Sequence, residues 1–95
     1  MYANEMVPGD VFHPAEILKD ELEARNIKQS DLANKSSFNK SFISLLLQGK
    51  RNITLPVAIE LEKILGIQAE IWIRLQKLYE LNKELIELKH LRKSA

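Results

Sequence analysis

No cysteine occurs in the 95 residues of this chain. Disulfide frameworks and thiolate metal sites are therefore excluded, and the composition fits a reducing compartment. Histidine is scarce too: His13 and His90 stand near opposite ends of the chain with no carboxylate-rich cluster around either. They read as a helix-start residue and a solvated residue, and no metal site is expected. Long apolar runs are also missing. The stretch MYANEMVPGDVF at 1–12 has neither a basic leader nor an extended apolar core, so it reads as neither a signal peptide nor a membrane span. The expectation is a cytoplasmic protein with no membrane partner.

Catalytic patterns are absent in the same way. The sequence holds no glycine-rich phosphate loop, no nucleophile with a nearby histidine, and no spacing that predicts a pocket of paired carboxylates. Glu60 with Glu62, and Glu84 with Glu87, read as solvated helix faces balanced by lysines. No enzyme, cofactor or small-molecule substrate is expected. The length suits one domain of four or five helices, spanning 1–95.

What the chain does have is uneven charge. The net value is only +1. Up to Asn34, however, Glu5, Asp10, Glu16, Asp20, Glu21, Glu23 and Asp31 outnumber Lys19, Arg25 and Lys28. From 35 to 52 the balance reverses: Lys35, Lys40, Lys50 and Arg51 occur with no acid among them. A positive field confined to one segment is what attraction to phosphate requires.

Helical periodicity runs through the rest, with no repeat, low-complexity tract or strand-like alternation. Pro8 and Gly9 mark an irregular entry over 1–12. Pro14 suits a first helical turn, and 15–25 carries Ile17, Leu18, Glu21 and Leu22 at helical spacing, after which Asn26 tolerates a left-handed cap and Ile27 folds back on the core. Two short helices follow, broken near Ser36 and Ser37. Leu32 and Ala33 face inward from the first, Ile43 and Leu46 from the second, and the small Ala33 lets two axes approach at a steep angle. Asn39 is the N-cap that starts the second at Lys40, and Gly49 ends it.

A fourth helix is capped by Thr54, has Pro56 in its first turn, offers Val57, Ile59, Leu61, Ile64 and Leu65 as an apolar surface, and stops at Gly66. A long fifth helix over 69–93 carries Trp72, Leu75, Leu78 and Tyr79. Within it Leu78, Leu81, Leu85 and Leu88 repeat at three, four and three residues, a coiled-coil spacing. That seam is either a symmetric dimer contact or a strip folded back on the core.

Two short helices about a tight turn, followed by a basic loop, form the layout of a helix-turn-helix DNA reader. Lys40, Ser41 and Ser44 are the exposed polar candidates on its second helix. Leu45 points outward beside them, toward a thymine methyl, a protein contact or nothing. In GKRNIT at 49–54, Gly49 reverses the backbone and Lys50, Arg51 and Asn52 project as donors where phosphate lies.

Three stretches carry a more specific resemblance: HPAEILKDELEARNIKQSDLA, KSFISLLLQGKRNIT and AIELEKILGIQAEIWIRLQKLYEL, in that order and at matching spacing over 13–81. With them the chain resembles the HigA-type antitoxins of the XRE-like helix-turn-helix family, the group that includes proteins labelled virulence-associated protein I. Glu70 and Trp72, after the fourth helix, are the specific part. The resemblance implies an all-α, five-helix lambda-repressor-like domain with a long C-terminal dimerisation helix. It further implies a homodimer that binds operator double-stranded DNA, represses its own operon, and neutralises a cognate toxin, usually a RelE-like nuclease that cuts messenger RNA.

On this resemblance Gln29, Asn39, Lys40, Ser41 and Ser44 match DNA-facing positions, and Lys50 and Arg51 the phosphate loop. Two departures stand out. Ser36 and Ser37 replace an apolar residue and a turn glycine, which predicts a looser or strained turn. Leu45 replaces a residue usually polar or acidic, which leaves the identity of the operator open. For the dimer the candidates are Trp72, Leu78, Leu81, Leu85 and Leu88. For a basic toxin they are the acids Glu16, Asp20, Glu21 and Glu23 of the first helix, with 1–12 and the C-terminal helix as other surfaces. A stand-alone XRE-type regulator without a toxin, or an interaction module whose DNA contact has decayed, are the alternatives.

Overall fold

A computed structural model describes residues 12–94. Five helices follow one another in it: α1 (Pro14–Ala24), α2 (Gln29–Lys35), α3 (Lys40–Leu47), α4 (Leu55–Leu65) and α5 (Ala69–Ser94), with no strand among the described residues. Apart from Phe12, the irregular entry expected over 1–12 lies outside the described residues.

Most helix ends follow from the residues that occupy them. The His13 ring caps α1, its Nδ1 accepting from the Ala15 amide at 3.0 Å, and Pro14 fills the first position, where no amide donor is needed. Asn26 then takes φ 56°, and the Ile27 amide donates to the Leu22 carbonyl at 2.8 Å, turning the chain inward. Asn39 accepts from the Phe42 amide at 2.8 Å and starts α3 at Lys40. Gly49 (φ 78°) and Gly66 (φ 74°) close α3 and α4 in the left-handed region. Thr54 differs from expectation. It holds the N-cap position of α4, but its hydroxyl accepts no capping hydrogen bond.

The core draws on every helix: Leu18 and Leu22 of α1, Leu32 of α2, Ile43 and Leu46 of α3, Val57, Ala58, Leu61 and Leu65 of α4, Trp72 of α5, and Ile53 from the loop before α4. Ala33, Ile27 and Ile64 pack against it from partly buried positions. Ile59, expected on the apolar surface of α4, is instead 42% exposed, because the inward stripe is already filled by Val57, Ala58, Leu61 and Leu65.

Trp72 requires a second correction. It is the largest fully buried side chain and packs within its own chain, so it is not a dimer contact. An indole brings a large apolar area to a small core and anchors α5 against α4.

Beyond that anchor α5 leaves the core. Only Trp72 and Gln76 are buried along it, and a helix of 26 residues spans about 39 Å at 1.5 Å per residue. The molecule is accordingly elongated, 49 × 24 × 23 Å. No helix among the described residues is long and apolar enough to cross a membrane.

Candidate nucleic-acid interface

The turn between α2 and α3 is held by side chains. Ser36 Oγ accepts from the Phe38 amide at 3.2 Å, a local turn that serine favours. The Ser37 amide donates to Glu60 Oε1 on α4 at 2.8 Å. The Ser37 contact, as the largest cause, and Lys63 Nζ, 3.7 Å from the other carboxylate oxygen, hold the Glu60 carboxyl below the usual glutamate range. Phe38 stacks on Phe42 with ring centroids 4.9 Å apart. The strain expected for a turn without glycine is absent, since Asn26 is the sole non-glycine residue of positive φ among those described.

On α3, Ile43 and Leu46 are buried while Lys40 and Ser41 are exposed. Ser44 is half-buried, and its Oγ accepts from Gln48 Nε2 at 3.0 Å. Leu45 is half-buried as well, and so less outward than the sequence implied. Gln29, at the start of α2, is brought to Lys40: the two line one shallow hollow of about 350 Å³ together with Lys28 and Ser30. Asn39 is exposed beside Lys40, but its Oδ1 is engaged in capping, which leaves the amide nitrogen for an outside acceptor.

The basic loop is pinned at both ends while its middle stays free. Lys50, Arg51 and Asn52 are all exposed. Before them, the His13 ring lies 3.5 Å from where a side chain on Gly49 would begin, and the same ring packs against Tyr79 of α5 with centroids 4.6 Å apart. After them, the buried Ile53 amide donates to Gln76 Oε1 at 2.8 Å, and Gln76 Nε2 donates to Glu80 at 3.0 Å. Lys50 and Arg51 thus project from a backbone fixed to α1 and α5. Asn52 borders hollows lined by Lys77, Glu80 and Lys83 of α5.

Three residues here were not singled out for these roles from the sequence. Gln76 shares the inward stripe of α5 with Trp72, four residues earlier, and a polar residue on a buried stripe is the signal that could have found it. Glu60 and Glu62 were read as solvated. Instead Glu60 holds the helix-turn-helix turn, and Glu62 accepts from the Ala69 amide at 2.7 Å to start α5.

The other candidates separate. Leu78 and Leu81 are each 52% exposed, Leu88 is 41% exposed and Leu85 is half-buried, so the seam is not folded onto its own core. Of the acids on α1, Glu21 is bonded to Arg25 at 3.2 Å, Glu23 is exposed, and Glu16 and Asp20 border a groove between α1 and α5. That groove measures about 460 Å³ and is otherwise lined by Phe12, Pro14, Ile17, Leu75, Leu78, Tyr79 and Asn82. Among the described residues no group of three or more His, Cys, Asp or Glu side chains is placed to hold a metal ion.

Comparison with known proteins agrees with this architecture. The uncharacterized HTH-type transcriptional regulator YddM of Escherichia coli (strain K12) is 30% identical over 79 residues, 83% of this chain and 78% of the relative. The structure of an addiction module antidote protein of the HigA family from Coxiella burnetii superposes with a TM-score of 0.77 at 30% identity, covering 88% of this chain and 94% of the other. The Pseudomonas aeruginosa antitoxin HigA, solved with the higBA promoter, gives a TM-score of 0.79 at 26% identity over 90% and 94% of the two chains. A family profile described as Helix-turn-helix matches residues 18–72, from the buried turn of α1 to the tryptophan that anchors α5, and to that helix-turn-helix family the chain belongs.

Proposed function

We propose that the chain is the antitoxin of a type II toxin–antitoxin pair, a homodimer that binds operator DNA, represses its own operon and neutralises a RelE-like mRNA-cleaving toxin. The observation that carries the DNA reading is the surface of α3 and its flanking loop: Lys40 at one end and Lys50 and Arg51 at the other are exposed in a segment without an acid. With α3 in the major groove, Lys40, Ser41 and Ser44 meet base edges, Gln29 and Asn39 the adjoining backbone, and Lys50 and Arg51 the phosphates beyond. The exposed leucines of α5 supply the dimer contact, and two-fold symmetry then asks for half-sites about 34 Å apart.

The antitoxin reading draws on the solved antitoxins of the same fold and on the acidic α1. A nuclease that grips an RNA backbone is basic, so acids on α1, clear of the DNA-facing residues, speed its encounter and leave the operator contact open. A stand-alone regulator is the second reading, favoured by the name of the E. coli relative, a transcriptional regulator.

Replacing Lys40, Lys50 and Arg51 together by alanine tests the DNA contact. Operator affinity should fall by about one to several kcal/mol and lose part of its salt dependence. An unchanged mobility-shift titration across salt would sink the assignment. Association with the product of a small basic reading frame beside this gene separates antitoxin from stand-alone regulator.

A further inference from the structure

The C-terminal helix carries two unmet demands. Toward its end it offers leucines to water, with Leu78 and Leu81 each 52% and Leu88 41% exposed. Nearer the core, α5 and α1 leave an open groove of about 460 Å³, apolar along Ile17, Leu75 and Leu78 and bordered by Glu16 and Asp20. We infer that each demand answers the other across a two-fold axis. The two α5 helices of the homodimer cross antiparallel, and the outer end of each seats in the angle between α1 and α5 of the second copy. This rests on the homodimer proposed above and adds its direction, its register and its charge contacts.

The register follows from the leucines. Setting Leu81 against Leu85 of the second copy also sets Leu78 against Leu88, and symmetry repeats both contacts. Every leucine of the seam then faces a leucine, and the continuous apolar strip is covered.

The direction follows from the flank. Leu75, Tyr79, Asn82, Ile86, Lys89 and Lys93 repeat at four, three, four, three and four residues and so share one side of α5. Helix α1 lies over the Leu75 to Asn82 end of that side. In an antiparallel crossing this flank meets the same flank of the second copy, which brings Lys89 and Lys93 to Glu16 and Asp20. A parallel crossing would instead leave both outer ends side by side, away from the two grooves, and set the groove end of α5 against the opposite flank at Lys77. Only the first arrangement brings the outer end of α5 to the groove and two lysines to its two acids. Glu16 and Asp20 then belong to the dimer, and Glu21 and Glu23 remain for a toxin.

Because the chain has no cysteine, single engineered thiols report the arrangement. Leu78→Cys and Leu88→Cys are each oxidised alone and as an equilibrated mixture. The mixture should give covalent dimers and neither variant alone should, since like positions lie about 15 Å apart in the antiparallel register. Covalent dimers from a single variant overturn the direction. Light scattering of the reduced proteins separates the two levels: a monomer removes the homodimer itself, whereas a dimer that fails to cross-link in the mixture overturns this arrangement alone. For the charges, Glu16→Lys with Asp20→Lys should raise the dimer Kd about tenfold or more, and adding Lys89→Glu with Lys93→Glu should restore it. An unmoved Kd, or one that is not restored, overturns the groove contact.

Discussion

Gln76 accepts the Ile53 amide at 2.8 Å, from a buried position 23 residues further along the chain. That bond ties the far end of the basic loop to the helix that also bears the proposed dimer seam. Replacing Gln76 by leucine leaves the Ile53 amide buried without an acceptor, at a cost of about 1–3 kcal/mol. Denaturant unfolding should show that loss. Amide exchange at Ile53 should quicken by more than the global loss explains, and operator affinity should fall although no DNA-facing side chain has changed. Equal slowing or quickening across the whole core would mean that Gln76 is only a packing residue.

His13 predicts a pH dependence. Burial, the largest cause, lowers its pKa from 6.5, Lys83 lowers it further, and Glu16 opposes both. The fold therefore favours the neutral ring, whose Nδ1 must accept from Ala15. The unfolded chain takes up the proton first, so this contribution is complete above about pH 6.5 and shrinks as pH falls through that value toward the lower folded pKa. His13→Asn keeps a capping side chain without a titrating ring. Thermal melts of the variant between about pH 5 and 7 should be flatter than those of the parent.

Trp72 and the seam leucines should respond differently to substitution. Trp72→Ala empties the centre of the core and should cost about 3–5 kcal/mol, enough to unfold much of a small domain. Leu81→Glu with Leu85→Glu should leave the core folded and give a monomer by light scattering, with loss of cooperative binding to a two-half-site operator. A dimer of undiminished stability would place the interface elsewhere.

The remaining acids of α1 test the proposed toxin contact. Glu21→Lys with Glu23→Lys should slow association with a basic neighbouring gene product at low salt, while DNA binding is retained or strengthened. Association rates that do not move would leave α1 a solvated face and shift attention to 1–12 or the C-terminal helix.

Features that depend on residues close in sequence were legible before the structure. Asn39 capping α3, Asn26 taking positive φ, and Gly49 and Gly66 ending helices are each decided within one turn of chain, so the helix-turn-helix layout and its start at Lys40 could be read directly. The bonds that fix the candidate interface in place were not. Ser37 to Glu60 and Ile53 to Gln76 each join residues 23 apart, and no local pattern separates such a glutamate or glutamine from a solvated one. Trp72 shows the same limit: its spacing fits either an interface or the core, and only the packing of α4 against α5 decides.

Beyond Tyr79, whose ring packs against His13, no residue of α5 is buried. Helix in water without such support frays, and its backbone becomes available to proteases before the core opens. In the proposed homodimer, pairing of two chains protects that end by mass action. That dimer would tie the lifetime of each molecule to how many others are present: dilution should shorten it and abundance lengthen it, with no change in the stability of the core. Limited proteolysis across a dilution series reads that coupling directly.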